Sequence, residues 1–254
     1  MGLTHSSSTK QGLKDLFNVE KTVDEDYVIA LAGNPNTGKS TVFNALTGLH
    51  QHTGNWPGKT VVNSQGKYRH NDKEFIIVDL PGTYSLLASS VEEIVARDFI
   101  CFGKPDVTVV VLDATCIERN LNLLLQVLEI TDKVVACVNL MDEAKSKNIK
   151  INIEVLSREL GIPVVPTTAR SNIGMNILKD TIYDLCTNKI HTCPLQIQYP
   201  TEIEEEIQQL TPMLRCIFND KINTKWLALR LLDGDESLLN SISKFLGHDL
   251  SSPK

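Results

Sequence analysis

Three short segments of this sequence carry residue types whose spacing could bind a nucleoside triphosphate and cleave its terminal phosphate. GNPNTGKS, at residues 33–40, fits the G-x-x-x-x-G-K-[ST] pattern of a phosphate-binding loop. DLPG occupies residues 79–82, and NLMD occupies residues 139–142. Each segment directly follows an apolar run, so the sequence predicts three functional loops at the ends of buried strands.

Residues 33–40 predict a loop that surrounds phosphate groups. Small residues let successive backbone N–H groups converge on phosphate oxygens, at the positive end of the helix that follows. Lys39 is expected to reach the β- and γ-phosphates, and the Ser40 hydroxyl is expected to be a ligand of Mg²⁺. The nucleotide-binding residues predicted in this segment and directly after it are Gly33, Asn34, Pro35, Asn36, Thr37, Gly38, Lys39, Ser40 and Thr41.

The DLPG segment predicts a sensor of the γ-phosphate. Asp79 is expected to hold Mg²⁺ through water, and the N–H of Gly82 is expected to contact the γ-phosphate. A threonine between the first two segments should also be a ligand of Mg²⁺. Thr60 is favoured over its rival Thr53, because Thr60 follows a loop that contains Gly and Pro and precedes a predicted strand. The neighbouring nucleotide contacts predicted in this loop are Gly58 and Lys59.

The NLMD segment predicts which base is bound. Guanine presents a ring N–H beside an exocyclic amino group, and one carboxylate can accept both hydrogen bonds in parallel. Asp142 is therefore the predicted specificity residue, with Asn139 bracing the loop and the other face of the base. Met141 lies between them, and a backbone N–H of Thr168 or Ala169 is expected to meet the guanine carbonyl.

The order of apolar runs predicts the fold class. Strand-like and helix-like segments alternate from residue 27 to residue 186, which is typical of a three-layer α/β domain with a mostly parallel sheet. We divide the chain into an N-terminal extension at 1–25, a nucleotide-binding domain at 26–190 and a small all-helical domain at 191–254. In the last part, apolar residues recur at helical spacing, at Ile203, Ile207, Leu210, Leu214 and Ile217.

The composition limits the class of protein. The chain has 254 residues and a net charge of −6, which argues against a broad basic face for nucleic acid, so no nucleic-acid partner is expected. No apolar run approaches the roughly 20 residues that cross a bilayer, so the chain by itself is expected to be soluble. The six cysteines contain no C-x-x-C pair, which fits a reducing cytosol.

Five segments together resemble the cytoplasmic part of bacterial ferrous iron transport protein B. They are GNPNTGKSTVFNALTG, GNWPGKTVV, DLPGTYSL, NLMDEA and WLALRLLDGD, and the resemblance covers residues 26–254. It implies a P-loop GTPase domain, a helical domain and a membrane permease for Fe²⁺ in the same full-length protein. The chain is thus interpreted as the cytoplasmic part of a bacterial inner-membrane protein, with homo-oligomerisation left open.

Thr83 occupies the position after Gly82 where the best-known small GTPases carry a water-positioning glutamine. The resemblance implies a potassium-activated GTPase instead, in which Asn36 and backbone carbonyls of residues 54–56 hold K⁺. Lys59 departs from the family, whose members often have an apolar residue there. The catalytic residues implied in this way are Asn36, Lys39, Thr60 and Gly82. The metal ligands are Ser40, Thr60 and Asp79 for Mg²⁺, with Asn36, Gly54 and Trp56 for K⁺.

Two other functions stay open at this point. One is a GTPase of ribosome or RNA maturation, which would need a basic appendage that this acidic chain lacks. The other is a nucleotide-dependent binding module with negligible hydrolysis, which the threonine in place of glutamine would allow. Several residues also have simpler interpretations. Asn36 could be a turn former and Trp56 a packing residue, while His50 and His52 indicate a surface loop and residues 202–206 a solvated helix face.

Overall fold

The computed structural model describes residues 17, 19, 26–48, 51–218 and 222–246. The strands are β1 (Tyr27–Gly33), β2 (Gln51–Asn55), β3 (Val62–His70), β4 (Lys73–Asp79), β5 (Val107–Asp113), β6 (Val134–Asn139) and β7 (Val164–Pro166). The helices are α1 (Lys39–Thr47), α2 (Val91–Asp98), α3 (Ile117–Ile130), α4 (Met141–Ser146), α5 (Ile153–Leu160), α6 (Met175–Cys186), α7 (Thr201–Phe218), α8 (Thr224–Leu232) and α9 (Glu236–Leu246). A π-helical turn (Phe99–Gly103) continues α2, and a 3₁₀ turn (Ala169–Ser171) follows β7.

The seven strands form one sheet in the order β2-β3-β4-β1-β5-β6-β7. The pairs β1–β4, β1–β5, β5–β6 and β6–β7 are parallel, whereas β2–β3 and β3–β4 are antiparallel. The predicted mostly parallel sheet is therefore confirmed. Because β1, β4 and β6 run in the same direction, the loops after Gly33, Asp79 and Asn139 all leave from one edge of the sheet.

Both faces of the sheet are buried, which explains why the central strands are continuously apolar. Side chains alternate along β1, so that Ile29 and Leu31 face one hydrophobic cluster while Val28 and Ala30 face the other. Helices α1 and α6 cover the first face, and α2, α3 and the C-terminal helices cover the second. This is the predicted three-layer arrangement.

The C-terminal helices pack on the second face. α7 buries Ile207, Leu214 and Phe218, but Ile217 is 55% exposed, so its predicted place on the buried face is wrong. The predicted break near Gly234 is confirmed, because this glycine lies between α8 and α9 with φ of 73°. Residues 191–200 form no helix, and the first helix of the C-terminal part begins at Thr201.

A buried arginine joins the second face to the helical part. Arg97, at the end of α2, is fully buried, and its Nη1 atom donates to Asp235 Oδ2 at 2.7 Å and to Ser237 Oγ at 2.9 Å. Its Nη2 atom donates to Asp98 Oδ1 at 2.8 Å, and Ser241 Oγ donates to Asp98 Oδ2 at 2.7 Å. Burial raises the pKa of Asp98, and the Arg97 guanidinium opposes that shift. Removing one partner would leave an uncompensated buried charge.

Some elements differ from those the sequence predicts. Residues 51–55 form the edge strand β2, so the surface loop predicted around His52 is wrong there, while His50 lies outside the described residues. The strand predicted from residue 59 begins at Val62. The sequence analysis predicts no helix at α2, although Ser90 caps it by accepting from the N–H of Glu93 at 3.2 Å. None of the helices in the described ranges is long and apolar enough to cross a membrane.

Candidate nucleotide-binding site

The phosphate-loop segment joins the end of β1 to the start of α1. Asn36 and Gly38 have φ of 68° and 77°, and these left-handed conformations turn the chain into the helix. The N–H of Val42 donates to the carbonyl of Gly38 at 3.0 Å, but no acceptor among the described residues hydrogen-bonds the N–H groups of residues 38–41. No side chain caps α1 either. This donor set and the helix dipole fit an anion such as a phosphate.

The loop is packed tightly against two neighbouring strands. A Cβ atom on Gly38 would lie 2.5 Å from Asn139 Nδ2, and one on Gly33 would lie 2.8 Å from the carbonyl oxygen of Val111. The Thr37 hydroxyl donates to the carbonyl of Asn34 at 3.0 Å. Both glycine positions therefore exclude larger residues, because a side chain would push the loop away from the sheet.

Lys39 contacts the carboxylate that the sequence assigns to Mg²⁺. Its ammonium group hydrogen-bonds to Asp79 Oδ1, and to the carbonyl oxygen of Leu80 at 2.6 Å. Burial raises the pKa of the Asp79 carboxyl above its usual value, whereas the neighbouring Lys39 acts to lower it. The two charged groups of the predicted site thus lie together at the mouth of the loop.

The segment after Asp79 lies across the phosphate loop. A Cβ atom on Gly82 would lie 3.5 Å from Pro35 Cα, and the N–H of Thr83 donates to the carbonyl of Gly33 at 3.3 Å. Thr83 is 5% exposed, so its side chain points into the protein rather than outward. The Arg119 guanidinium lies 4.5 Å above the ring of Tyr84. Sequence reasoning missed Arg119, because neither its type nor its spacing from the loop marks it.

Residues 54–60, called the switch segment here, are held at their start. Gly54 lies in β2 opposite Asn63, and the following Trp56 is 2% exposed. The N–H of Trp56 donates to the carbonyl of Val61, and its own carbonyl accepts from the N–H of Lys59, both at 2.9 Å. The Trp56 ring packs against Phe17 and Phe99, with ring centroids 6.2 and 5.4 Å away.

The rest of the switch segment is open to solvent. Thr60 is exposed and lies two residues before β3, and its rival Thr53 is exposed in β2. Gly58 has φ of 67°, with no atom within 4 Å of the position of a Cβ. Lys59 is half-buried, and its charge acts on Asp98 to lower the pKa of that carboxyl. Among the described residues, no hydrogen bond joins Thr60 to Ser40 or Asp79.

Asn139 connects the phosphate loop to the loop after β7. Its side chain is 1% exposed, and its Nδ2 atom donates to the carbonyl of Thr37 at 3.1 Å. Its Oδ1 atom accepts from the N–H of Ala169 at 3.0 Å and from the Thr167 hydroxyl at 3.2 Å. Thr167 is a second residue that sequence reasoning missed, although it stands beside the predicted Thr168.

The residues around Asp142 present a carboxylate next to this brace. Leu140 has φ of 62°, and this reversal ends β6 and starts α4, so that Asp142 falls in the first helical turn with an exposed side chain. The N–H of the intervening Met141 donates to the carbonyl of Thr167 at 3.3 Å. A carboxylate fixed at a helix start can accept two parallel hydrogen bonds from a ligand.

One N–H of Thr168 or Ala169 is predicted to meet the guanine carbonyl, and both groups have partners inside the protein in this structure. Both are buried, and the N–H of Thr168 donates to the carbonyl of Ile173 at 3.0 Å. The N–H of Ala169 donates to Asn139, as described above. Both donors predicted for the guanine carbonyl therefore already have acceptors inside the protein, because the loop is closed on itself by these bonds.

Within the described residues, His, Cys, Asp and Glu side chains form no group of three or more that could hold a metal ion. The acidic residues of α7 lie on the helix surface, and Glu204 accepts from the Lys225 ammonium at 3.0 Å.

Comparison with known proteins decides the family. Residues 27–182 match the family model described as Ferrous iron transport protein B, and residues 199–252 match that of the FeoB cytosolic helical domain. The chain belongs to the ferrous iron transport protein B family. The resemblance seen in the sequence is confirmed, and residues 17 and 19 lie outside both matched segments.

Individual relatives agree with this assignment. The Fe(2+) transporter FeoB of Methanocaldococcus jannaschii is 44% identical over 213 residues, which are 84% of this chain and 31% of that protein. FeoB of Escherichia coli strain K12 is 37% identical over 211 residues, covering 82% of this chain and 27% of that protein. The chain thus spans about a third or less of the length of these relatives.

A solved structure confirms the fold. The cytosolic domain of the T. maritima FeoB iron transporter, in GDP form I, superposes with a TM-score of 0.76 at 37% sequence identity. The superposition covers 90% of this chain and 87% of that one. The family member described here therefore has a P-loop GTPase domain followed by a small helical domain, as the sequence predicts.

Proposed function

We propose that this chain binds GTP and GDP with Mg²⁺, hydrolyses GTP slowly with K⁺ as activating cation, and acts as the cytosolic switch of a ferrous iron transporter. The permease that it controls would be the membrane part of the same full-length protein. The single observation that carries this proposal is the open N-terminus of α1, braced by Asn139 and next to Lys39 and Asp79. Family membership supplies the link to ferrous iron.

The phosphates would be bound by the N–H groups of residues 38–41 and by the Lys39 ammonium. Lys39 would exchange the Asp79 carboxylate for phosphate oxygens, which frees that carboxylate to hold the water of a Mg²⁺ ion. The Ser40 and Thr60 hydroxyls are the proposed direct ligands. Thr60 is exposed in the structure, so the switch segment has to move to bring it there.

Guanine would be recognised by the carboxylate of Asp142. Two parallel N–H donors of guanine match the two carboxylate oxygens, and a site built in this way rejects a base without them by about 10⁴-fold. Asn139 keeps the loop in place but has its polar atoms occupied by protein partners. Base discrimination therefore falls mainly to Asp142.

Hydrolysis without a glutamine would depend on Asn36 and the switch segment. A potassium ion, when bound, supplies positive charge beside the transferring phosphoryl group, as an arginine finger does. The Asn36 side chain and the carbonyls of Gly54 and Trp56 are its proposed ligands. The carbonyl of Trp56 accepts a hydrogen bond from the N–H of Lys59, and its second lone pair would serve the ion.

A second candidate function is a nucleotide-dependent binding module with negligible hydrolysis. Thr83 supports it, because this residue stands where a catalytic glutamine would be and its side chain is buried. The alternative in ribosome or RNA maturation loses its support, since the chain belongs to a transporter family and is acidic. A nucleic-acid partner is not part of the proposal.

Calorimetric titration with GDP, GTP and ATP in the presence of Mg²⁺ tests binding. We expect heat from both guanine nucleotides and none from ATP at matched concentration. Equal displacement by ATP would contradict the role of Asp142. Single-turnover phosphate release in K⁺ and in Na⁺ then separates the two candidates, because the hydrolase requires release that is faster in K⁺. Loss of that preference in Asn36→Ala identifies the residue that carries it.

A further inference from the structure

Two apolar residues that precede both segments matching the family are buried in this protein. Phe17 is 8% exposed and Val19 is 1% exposed, and both belong to the hydrophobic cluster on the second face of the sheet. The family match begins only at residue 27. Contacts of these two side chains are consequently not explained by the shared GTPase fold.

Phe17 lies between the switch segment and the π-helical turn. Its ring meets Trp56 and Phe99 edge-on, at centroid distances of 6.2 and 5.2 Å and interplanar angles of 83° and 85°. Trp56 and Phe99 also touch edge-on, at 5.4 Å, so the three rings form one cluster. Edge-to-face geometry is favourable because the positive edge of one ring meets the negative face of the next.

The Asn63 side chain fixes Phe17, and a glycine makes room for it. The Nδ2 atom of Asn63 donates to the carbonyl of Phe17 at 3.4 Å, and Asn63 is the residue opposite Gly54 in the β2–β3 pair. A Cβ atom on Gly103 would lie 3.1 Å from the Phe99 ring and 3.4 Å from Phe17 Cδ2. Glycine at 103 therefore leaves the space that the two rings occupy.

The position of Trp56 in this cluster restricts the switch segment. With Trp56 buried, its carbonyl accepts from the N–H of Lys59 in a tight turn, and Thr60 at the end of that turn is left exposed. The proposed function needs the Thr60 hydroxyl at the nucleotide, so the turn has to rearrange while the buried Trp56 holds its first residue. The buried position of Trp56 and a closed switch segment thus compete.

We propose that Phe17 is a positioning residue that holds Trp56 in its buried place, and so disfavours closure of the switch segment over a nucleoside triphosphate. This inference rests on the proposed function of residues 54–60. If the contact between Phe17 and Trp56 exists only while the switch segment is open, closure has to break it. The apparent affinity for a nucleoside triphosphate then falls in proportion to the fraction of molecules that can close. GDP lacks the γ-phosphate, so its affinity does not depend on this closure.

The first measurement concerns Trp56 alone. The chain has two tryptophans, Trp56 and Trp226, so in a Trp226→Phe background the fluorescence reports on Trp56. Phe17→Ala should shift the emission to longer wavelength and increase quenching by acrylamide, because the indole gains water. Phe17→Leu, which keeps apolar bulk, should give a smaller shift. Unchanged emission and quenching in Phe17→Ala would overturn the inference without involving any nucleotide.

The second measurement compares two affinities in the same variants. Phe17→Ala should tighten binding of a non-hydrolysable GTP analogue by about two- to tenfold, which corresponds to one lost aromatic pair. Its affinity for GDP should stay within twofold of the wild type. The matched control is Phe102→Ala, which removes a ring that is 7% exposed and packs on Phe245 of α9 at 5.1 Å. In Phe102→Ala, the ratio of the affinity for the GTP analogue to the affinity for GDP should equal that of the wild type.

The outcomes separate the two proposals. A wild-type chain that binds neither nucleotide contradicts the proposed function and removes the basis of the inference. Binding of both nucleotides with the same affinity ratio in wild type and Phe17→Ala leaves the proposed function standing but refutes the role of Phe17. A change of equal size in Phe102→Ala refutes it as well, since that result would reflect general loosening of the second face.

Discussion

The phosphate loop and the switch segment leave from the same edge of the sheet, but they are held in different ways. The loop is tied to β6 and to the loop after β7 through Asn139, whose three hydrogen bonds are all buried. The switch segment is anchored at its start by the ring of Trp56, while Thr60 near its end is exposed. Protein contacts alone hold the phosphate loop in place, whereas the switch segment has to rearrange to complete the site.

This difference assigns separate tasks to the two regions. Groups held in place lose little conformational freedom on binding, so a braced loop suits tight binding of the phosphates that GDP and GTP share. A segment with few buried contacts opens and closes at low free-energy cost, which suits sensing of the γ-phosphate alone. Substitutions in the first region should affect both nucleotides equally, and substitutions in the second only GTP.

The largest effect is expected from Asp142→Asn, which alters the contact with the base and no contact with the phosphates. The amide offers one acceptor and one donor, so it matches xanthine, whose C2 carries a carbonyl, better than guanine. We expect the preference for GTP over XTP to fall by about 10⁴-fold, with GDP and GTP weakened equally. Competition between labelled GDP and the two nucleotides measures it. Unchanged guanine preference would remove Asp142 from the site.

The second effect is the loss of phosphate binding in Lys39→Ala. The variant lacks a charged donor to the phosphates and leaves Asp79 without its cation, so both nucleotides should bind about 100-fold more weakly. Lys67→Ala is the control, because Lys67 pairs with Glu74 on the surface at 2.7 Å. Fluorescent nucleotide titration distinguishes them, and near-normal affinity in Lys39→Ala contradicts the preformed site.

The brace itself is tested by Asn139→Ala. Three partner groups lose their hydrogen bonds, so the free energy of unfolding should fall by about 3 kcal/mol and both nucleotides should bind more weakly. Asn120→Ala is a matched control, since Asn120 is 1% exposed and bonds to Cys116 and Asp113 rather than to the phosphate loop. Its unfolding in urea should also shift, but its nucleotide affinity should not.

The smallest effect should appear in the switch segment. Thr60→Ala removes one proposed Mg²⁺ ligand from an exposed side chain, so stability should stay within about 0.5 kcal/mol. Affinity for a GTP analogue with Mg²⁺ should fall by about tenfold while GDP affinity stays the same. Thr53→Ala should change neither. If Thr53→Ala carries the loss instead, the choice between the two threonines is wrong.

Much of the fold follows from local patterns. The β-branched runs at residues 107–111 and 134–138 predict buried strands, and the turn at Asn71 and Asp72, both with positive φ, joins β3 to β4 as expected. α2 was not predicted, although Ser90 caps it and Val91, Ile94 and Val95 recur at helical spacing. The sequence does not predict the edge strand β2, because its residues, QHTGN, have little strand propensity and depend on pairing with β3.

Some features of the candidate site likewise follow from the sequence, and others depend on the fold. The types and order of Lys39, Asp79, Asn139 and Asp142 predict a guanine-nucleotide site, since the segments that contain them follow buried strands. The contact of Lys39 with Asp79 and the closed loop around Ala169 could not be predicted, because they depend on distances between residues far apart in the chain. The same holds for Arg97, which reaches Asp235 across the join between α2 and α9.

Local patterns in the chain were sufficient to identify the family and the order of strands and helices, and they predict the residues that would meet a guanine nucleotide. All of these depend on short-range spacing, which sets the periodicity of buried positions and the loops at strand ends. Folding was needed to show that Asn139 ties down the phosphate loop and that Phe17 packs on Trp56. Such contacts join residues many positions apart, and their free energy exists only once the sheet and both its covering layers have formed.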